Sequence, residues 1–168
     1  DVSRDDRVVA AVVEQEGQTG VWLTWLDGRE PPRRIPQADG DNPRFGRDGE
    51  ILFRGIEGDA GILYRIRANG AGRERIAQVA GTVFGTVSPD GEWLSGIGLD
   101  NREQTLYSIS GQASRRFFPY SQTSRLRWSL DGRRVYYSIQ YGQASAFAVG
   151  RTYVLPLAGG LVLSSLPP

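Results

Sequence analysis

The sequence contains no cysteine, no histidine, no methionine and no lysine. Without Cys or His there is no thiol nucleophile, no disulfide, no thiolate or imidazole metal ligand, and no triad that depends on a His base. Most common enzyme mechanisms lack their parts here, so the chain is expected to be no enzyme, with no catalytic residue, metal site or cofactor. The missing Lys leaves all 20 basic residues as Arg, which points to lineage bias, although Arg is also the better residue for stacking and for gripping carboxylates. Neither sign of charge is in excess: 20 basic against 19 acidic residues give a net charge of +1, so no broad field draws the chain to nucleic acid. No run of about eighteen apolar residues occurs, and direct membrane insertion is not expected. The chain starts at Asp1 without a Met, which points to a mature product or an excised part of something longer.

What the sequence does hold favours β-structure. Its 22 Gly and 9 Pro suit many short strands joined by turns, because Gly weakens a helix interior and Pro removes a donor from it. With 168 residues and 39% hydrophobic content the chain is long and apolar enough for a core. It also repeats itself. "VSRDDRVVAAV", "FGRDGEILFRG", "VSPDGEWLSG" and "WSLDGRRVYYS" align on Asp5, Asp48, Asp90 and Asp131, which are 43, 42 and 41 residues apart.

The columns agree beyond that turn. Three residues before each Asp stand Val2, Phe45, Val87 and Trp128; four after it stand Val9, Leu52, Leu94 and Val135. An aromatic leads a later run at Trp22, Tyr64, Tyr107 and Tyr153, and "RRI", "ERI" and "RRF" place Ile35, Ile76 and Phe117 behind an Arg. Strand alternation is visible in "RRVYYSI", where Val135, Tyr137 and Ile139 share a face. A period of about 42 with four short strands per unit is the pattern of a β-propeller blade. The expected fold is all-β, a propeller or partial propeller of about four antiparallel blades near 1–41, 42–83, 84–124 and 125–168.

The "SPDG" turn after an apolar strand, the "LYSISG"-type strand and the closing "RRI"-type strand resemble the PD40 or TolB-like repeat, also called WD40-like. Ser88, Pro89, Asp90 and Gly91 match its motif in full; Ser129, Asp131 and Gly132 match with Leu130 in the Pro position. The second copy keeps only Asp48 and Gly49, and the first keeps Ser3 and Asp5 but loses the Gly. The tail "GRTYVLPLAGG" with "LPP" resembles the end of extracytoplasmic propellers carried by some bacterial serine/threonine kinases and transcription regulators. That resemblance implies a periplasmic or otherwise extracytoplasmic location. Four blades are the lower limit for ring closure, and the first unit has only Asp1 and Val2 in place of an inner strand. The chain is therefore expected to be part of a longer protein, with open blade edges that invite self-association.

Candidate sites are few. The Asp-Gly copies read as turns, since Pro presets φ, Asp bonds the backbone two residues on, and Gly takes φ > 0. "QADGDNP" gathers Asp39, Asp41 and Asn42, with Glu50 at the twelfth position of a Ca²⁺-loop spacing, but Glu50 belongs to the repeat, so a connecting loop is expected. Four residues before each Asp, on the strand that lines a propeller channel, come Asp1, Arg44, Thr86 and Arg127; Arg44 and Arg127, with Arg125 nearby, form the candidate anion or carboxylate site. Phe118 and Tyr120 in an interblade loop are the candidate partner contacts. The function expected is a non-catalytic binding or sensing module for a protein, peptide or small ligand. The alternative is a substrate-gating propeller of a prolyl-oligopeptidase-type peptidase, whose hydrolase domain and G-x-S-x-G elbow this chain lacks.

Overall fold

A computed structural model describes residues 1–79, 82–98, 104–117, 126–132, 134–140 and 150–156. Fourteen strands occur among them, and the described residues include no helix. The first sheet is β1 (Val8–Gln15), β2 (Gln18–Trp25) and β3 (Arg33–Asp39); the second is β4 (Asp41–Phe45), β5 (Ile51–Glu57), β6 (Ala60–Ile66) and β7 (Glu74–Val79). The third is β8 (Thr82–Val87), β9 (Trp93–Gly98), β10 (Gln104–Ser108) and β11 (Arg115–Phe117); the fourth is β12 (Arg127–Trp128), β13 (Arg134–Gln140) and β14 (Gly150–Pro156). Every sheet is an antiparallel meander of consecutive strands. The first and fourth sheets thus show three strands each where four were expected. In the first, residues 1–3 stand in for the inner strand: Val2 bridges Val9, and Ser3 N donates to Val8 O at 2.8 Å.

Successive sheets stack through their alternating side chains. Ile51 and Phe53 of β5 pack with Ala10, Leu23 and Ile35 of the first sheet, while Leu52 between them packs with Phe84 and Leu94 of the third. A strand covered on both faces needs an unbroken apolar run, and "ILF" supplies one. Leu106 continues the stack to Leu126, just before β12, and to Val135 of β13. Phe53 also lies against Tyr64, ring centroids 5.4 Å apart, and the Arg73 guanidinium sits against both rings, 4.0 Å from the Tyr64 centroid and 5.9 Å from that of Phe53.

The repeated turn has a specific closure. In three copies the Ser two residues before the Asp is bonded twice. Ser3, Ser88 and Ser129 donate their hydroxyls to Asp5, Asp90 and Asp131 at 2.7, 2.5 and 2.5 Å. The same hydroxyls accept from Val8, Trp93 and Arg134 N–H, each at 2.9 Å. The Asp90 carboxylate takes the Glu92 N–H at 3.0 Å, and Gly91 N donates to Ser88 O at 2.9 Å, which closes the β-turn. The Ser3 hydrogen bond, above all, holds the Asp5 carboxyl below its ordinary range. Ser88 is buried, so Ser88→Ala strands the Trp93 N–H. It is expected to cost about 1–2 kcal/mol, read as a fall in the urea midpoint.

The second copy corrects the column alignment. Val2, Val87 and Trp128 face Val9, Leu94 and Val135, but Phe45 faces Ile51 and not Leu52. Gly46 replaces the Ser, so there is no hydroxyl to span the longer turn. Gly46 N bonds Glu50 O at 2.8 Å, one residue tighter than its counterparts, and the Glu50 carboxylate accepts from Asp48 N at 2.9 Å. Glu50 fills the space beside Gly46, where a Cβ would come within 2.2 Å of its Oε1. The aromatic column also slips once. Trp22, Tyr64 and Tyr153 face the equivalent positions Ala11, Phe53 and Tyr137, whereas Tyr107 faces Leu94, two residues along.

In the first copy Asp6 takes the left-handed place that Gly91 and Gly132 hold elsewhere, at φ 56. Asp tolerates that conformation with strain, so Asp6→Gly is expected to raise stability by roughly 0.5–1 kcal/mol. Thermal unfolding of the variant reads the gain directly.

Candidate functional site

The inner strands carry the channel-side candidates, and β8 explains how they are arranged. Its pairing with β9 slips between Phe84 and Val87, so carbonyls that would point into the ladder are released. The Ser95 hydroxyl takes up part of the gap, accepting from Thr86 N at 2.8 Å and donating to Thr86 O at 3.1 Å. Gly85 allows this approach, since a Cβ there would lie 2.4 Å from Ser95 Oγ. From the fourth sheet, Trp128 Nε1 reaches the same Thr86 carbonyl at 3.2 Å.

Arg44 arrives from the other side. Its Nε donates to Gly85 O at 2.5 Å, its Nη1 to Pro43 O at 2.7 Å, and its Nη2 to Phe84 O. The guanidinium thus fastens β4 to the bulged strand of the next sheet, and burial pulls its pKa down from the ordinary value. Three of its five N–H groups are committed to backbone carbonyls, which leaves two for any anion. Arg127 stands at the equivalent position of β12 and is exposed. Thr86, the third member of the column, holds a shielded hydroxyl oxygen with no partner among the described residues. Arg125, Phe118 and Tyr120 lie outside the described residues.

The acidic stretch where β3 passes into β4 divides its charges. Asp39 pairs with Arg34, and Asp41 pairs with both Nε and Nη2 of Arg54, at 2.7 Å for the first. Asn42, at φ 53, donates its side-chain amide to Asp41 Oδ1 at 2.9 Å. Glu50 serves its own turn, as described above. Asp39, Asp41 and Glu50 thus have separate partners, with Asn42 bonded to Asp41, and the expected connecting loop is reduced to Gly40, because Asp39 ends β3 and Asp41 and Asn42 open β4.

The largest departure from regular register lies in β3. Between Gly20↔Asp39 and Trp22↔Arg34, β3 runs five residues while β2 runs two, a three-residue excess. The corresponding stretch of β7 has an excess of one, and β11 pairs in regular register. Ile35 and Ala38 turn inward and are fully buried, so Pro36 and Gln37 are pushed outward, Gln37 at φ 63. Beside this bulge is a shallow surface hollow, open to solvent, lined by the exposed residues Gln18, Thr19, Arg34, Pro36, Gln37 and Asp39. Pro36 in a strand-like run was the available signal, because Pro within a sheet marks an edge or a bulge.

No family model matches the sequence, and no curated protein matches it. Solved structures do. TolB from Acinetobacter baumannii superposes with a TM-score of 0.64 at 16% identity, over 94% of this chain and 40% of that one. The β-propeller domain of the Trilobed protease from Pyrococcus furiosus gives 0.64 at 14% identity, over 88% of this chain and 51% of that domain. The tricorn protease gives 0.65 at 11% identity, over 94% of this chain and 17% of that one. These likenesses show the fold, a TolB-like β-propeller architecture. The chain spans about half or less of the length of each.

Proposed function

We propose that the chain is a non-catalytic binding or sensing module, a rigid set of propeller blades that offers its loops and channel mouth to a protein, peptide or small ligand. One observation carries this reading: the repeated polar residues are consumed by the scaffold, while two positions that differ between the copies, Arg127 and Leu130, are left open. Ser88, Asp90 and their counterparts close turns, and Arg44 fastens two sheets, whereas Arg127 and Leu130 are exposed, Leu130 at 99%. An anionic ligand of the channel mouth would be gripped by Arg127 and the two remaining Arg44 N–H groups; Arg125, two residues before Arg127 in the sequence, is the further candidate. Arg127→Ala is the clean test, because Arg44 variants also disturb the fold. A thermal-shift screen of small carboxylates is expected to give hits that Arg127→Ala weakens, and hits unaffected by that change remove the channel site. A location outside the cytoplasm belongs to the same proposal.

The likeness to propeller domains of two proteases favours a second reading, a substrate-gating propeller of a peptidase. Peptidase activity encoded beside this sequence, and gating lost on deleting these blades, would select it.

Self-association follows from the first sheet. Val9, Ala11 and Trp22 are the register counterparts of Ile51, Phe53 and Tyr64, which are buried against the first sheet. In the first sheet the same face is only half-buried, and Val13 beside it is 38% exposed. A blade of a second copy fits that face. Light scattering is expected to show a dimer or larger species that Trp22→Glu returns to monomer; a monomeric parent chain at high micromolar concentration refutes the contact.

A further inference from the structure

The inner strands share a backbone feature at their ends. Across the four repeated turns Ser3 N donates to Val8 O, Gly46 N to Glu50 O, Ser88 N to Trp93 O and Ser129 N to Arg134 O, at 2.8 or 2.9 Å. Successive N–H groups of an antiparallel strand point to opposite sides. Those of the preceding residues, Val2, Phe45, Val87 and Trp128, therefore point away from the ladder and toward the channel. A donor so placed needs an acceptor. At Phe45 the chain supplies one from the preceding sheet: Asp1 Oδ2 accepts from Phe45 N at 2.8 Å. The position four before the repeated Asp thus sets a carboxylate on the inner strand of the next blade.

The junction of the third and fourth sheets repeats this arrangement without the carboxylate. Arg127 precedes Trp128 as Arg44 precedes Phe45, and Thr86 stands in the place of Asp1. Trp128 Nε1 donates to Thr86 O at 3.2 Å, so both residues belong to one junction. The Thr86 hydroxyl is shorter than an Asp side chain and uncharged. Its oxygen has no partner among the described residues, so it does not cap the Trp128 N–H. Val87 offers no equivalent, because Arg44 fills that column and takes the carbonyls of Phe84 and Gly85. At Trp128 the donors are one backbone N–H and the exposed guanidinium of the residue before it, which has no ion pair among the described residues. A planar anion with two oxygens and a single charge matches that pair, one oxygen on the N–H and the other on the guanidinium fork. A phosphate dianion exceeds the one charge that Arg127 balances. We propose that the β8–β12 junction binds a carboxylate, seated on the Trp128 N–H as Asp1 is seated on Phe45, with Arg127 closing over it. This rests on the channel-mouth reading, from which it takes Arg127, and it adds the backbone donor and Thr86 as the residue that leaves that donor uncapped.

Amide NMR spectra of the 168-residue chain, titrated with sodium acetate and with N-acetyl-aspartyl amide, test the seat directly. Sodium chloride and inorganic phosphate at matched ionic strength are the controls. The expected result is a saturable downfield shift of the Trp128 backbone N–H with both carboxylates and none with either control. Tighter binding of the capped aspartate assigns the seat to an acidic side chain of a partner peptide; otherwise it belongs to a small free acid. Thr86→Asp supplies the carboxylate from within. Its Trp128 N–H is expected at the shifted position without ligand, its acetate binding about tenfold weaker, and its melting temperature equal or higher. Arg127→Ala is expected to weaken acetate by a similar factor. A Trp128 N–H that moves with neither carboxylate, or equally with phosphate, overturns the seat, as does undiminished acetate binding by Thr86→Asp. If Arg127→Ala still weakens binding in those cases, the channel-mouth reading stands without the seat; if it changes nothing, both fall.

Discussion

Arg44→Ala is expected to destabilise the protein by about 2–3 kcal/mol, because it leaves the carbonyls of Phe84 and Gly85 without their donor in a half-buried place. For a chain of this size that corresponds to a melting temperature lower by roughly 5–10 °C. Arg127→Ala, at the same position of its own inner strand but exposed, is expected to stay within about 0.5 kcal/mol of the parent. The pair of variants, followed by circular dichroism during heating, distinguishes an arginine that joins sheets from one that faces solvent. Equal small losses would mean that water replaces the guanidinium at the β8 bulge. Arg44→Lys is expected to recover little, since one ammonium cannot aim at three separate carbonyls as the planar fork does.

The second large effect is expected at Phe53. Its side chain is fully buried between the first and second sheets and stacks on Tyr64. Phe53→Ala removes the ring and leaves a cavity that the flanking strands cannot close, at a cost of about 3–5 kcal/mol. Denaturant titration should show the midpoint collapsing, while Leu130→Ala at the exposed tip of a turn leaves it unchanged within error. A loss at Phe53 no larger than about 1 kcal/mol would mean that the sheets slide to fill the space.

Much of this architecture is written in short-range terms. The Asp-Gly turns at 48, 90 and 131, and the Arg before Ile35, Ile76 and Phe117, fall where the strand register places them: Arg34, Arg75 and Arg116 face Trp22, Tyr64 and Thr105. The one-residue slip at Phe45↔Ile51 was hidden because letter spacing counts residues and not hydrogen bonds. Gly46, in place of a serine, was the sign that the turn closes differently. The role of Arg44 was out of reach, since its partners are 40 and 41 residues away and are created by a bulge in another strand. A charged residue on an inner strand looks the same in sequence whether it faces a ligand or a neighbouring carbonyl. The hollow beside β3 was hidden for a related reason: Gln18 and Thr19 of β2 and four residues of the β3 bulge meet only through the pairing of β2 with β3.

The meander has a kinetic consequence. Every strand pairs with one adjacent in sequence, so forming a sheet closes only short loops, and the entropic cost of each closure stays small. A sheet and its neighbour can then assemble stepwise, in the manner of a repeat array. The second sheet, covered on both faces, is the natural place for assembly to begin. Amide exchange should be slowest along β5 and β6 and faster along β1, whose outward face is uncovered among the described residues.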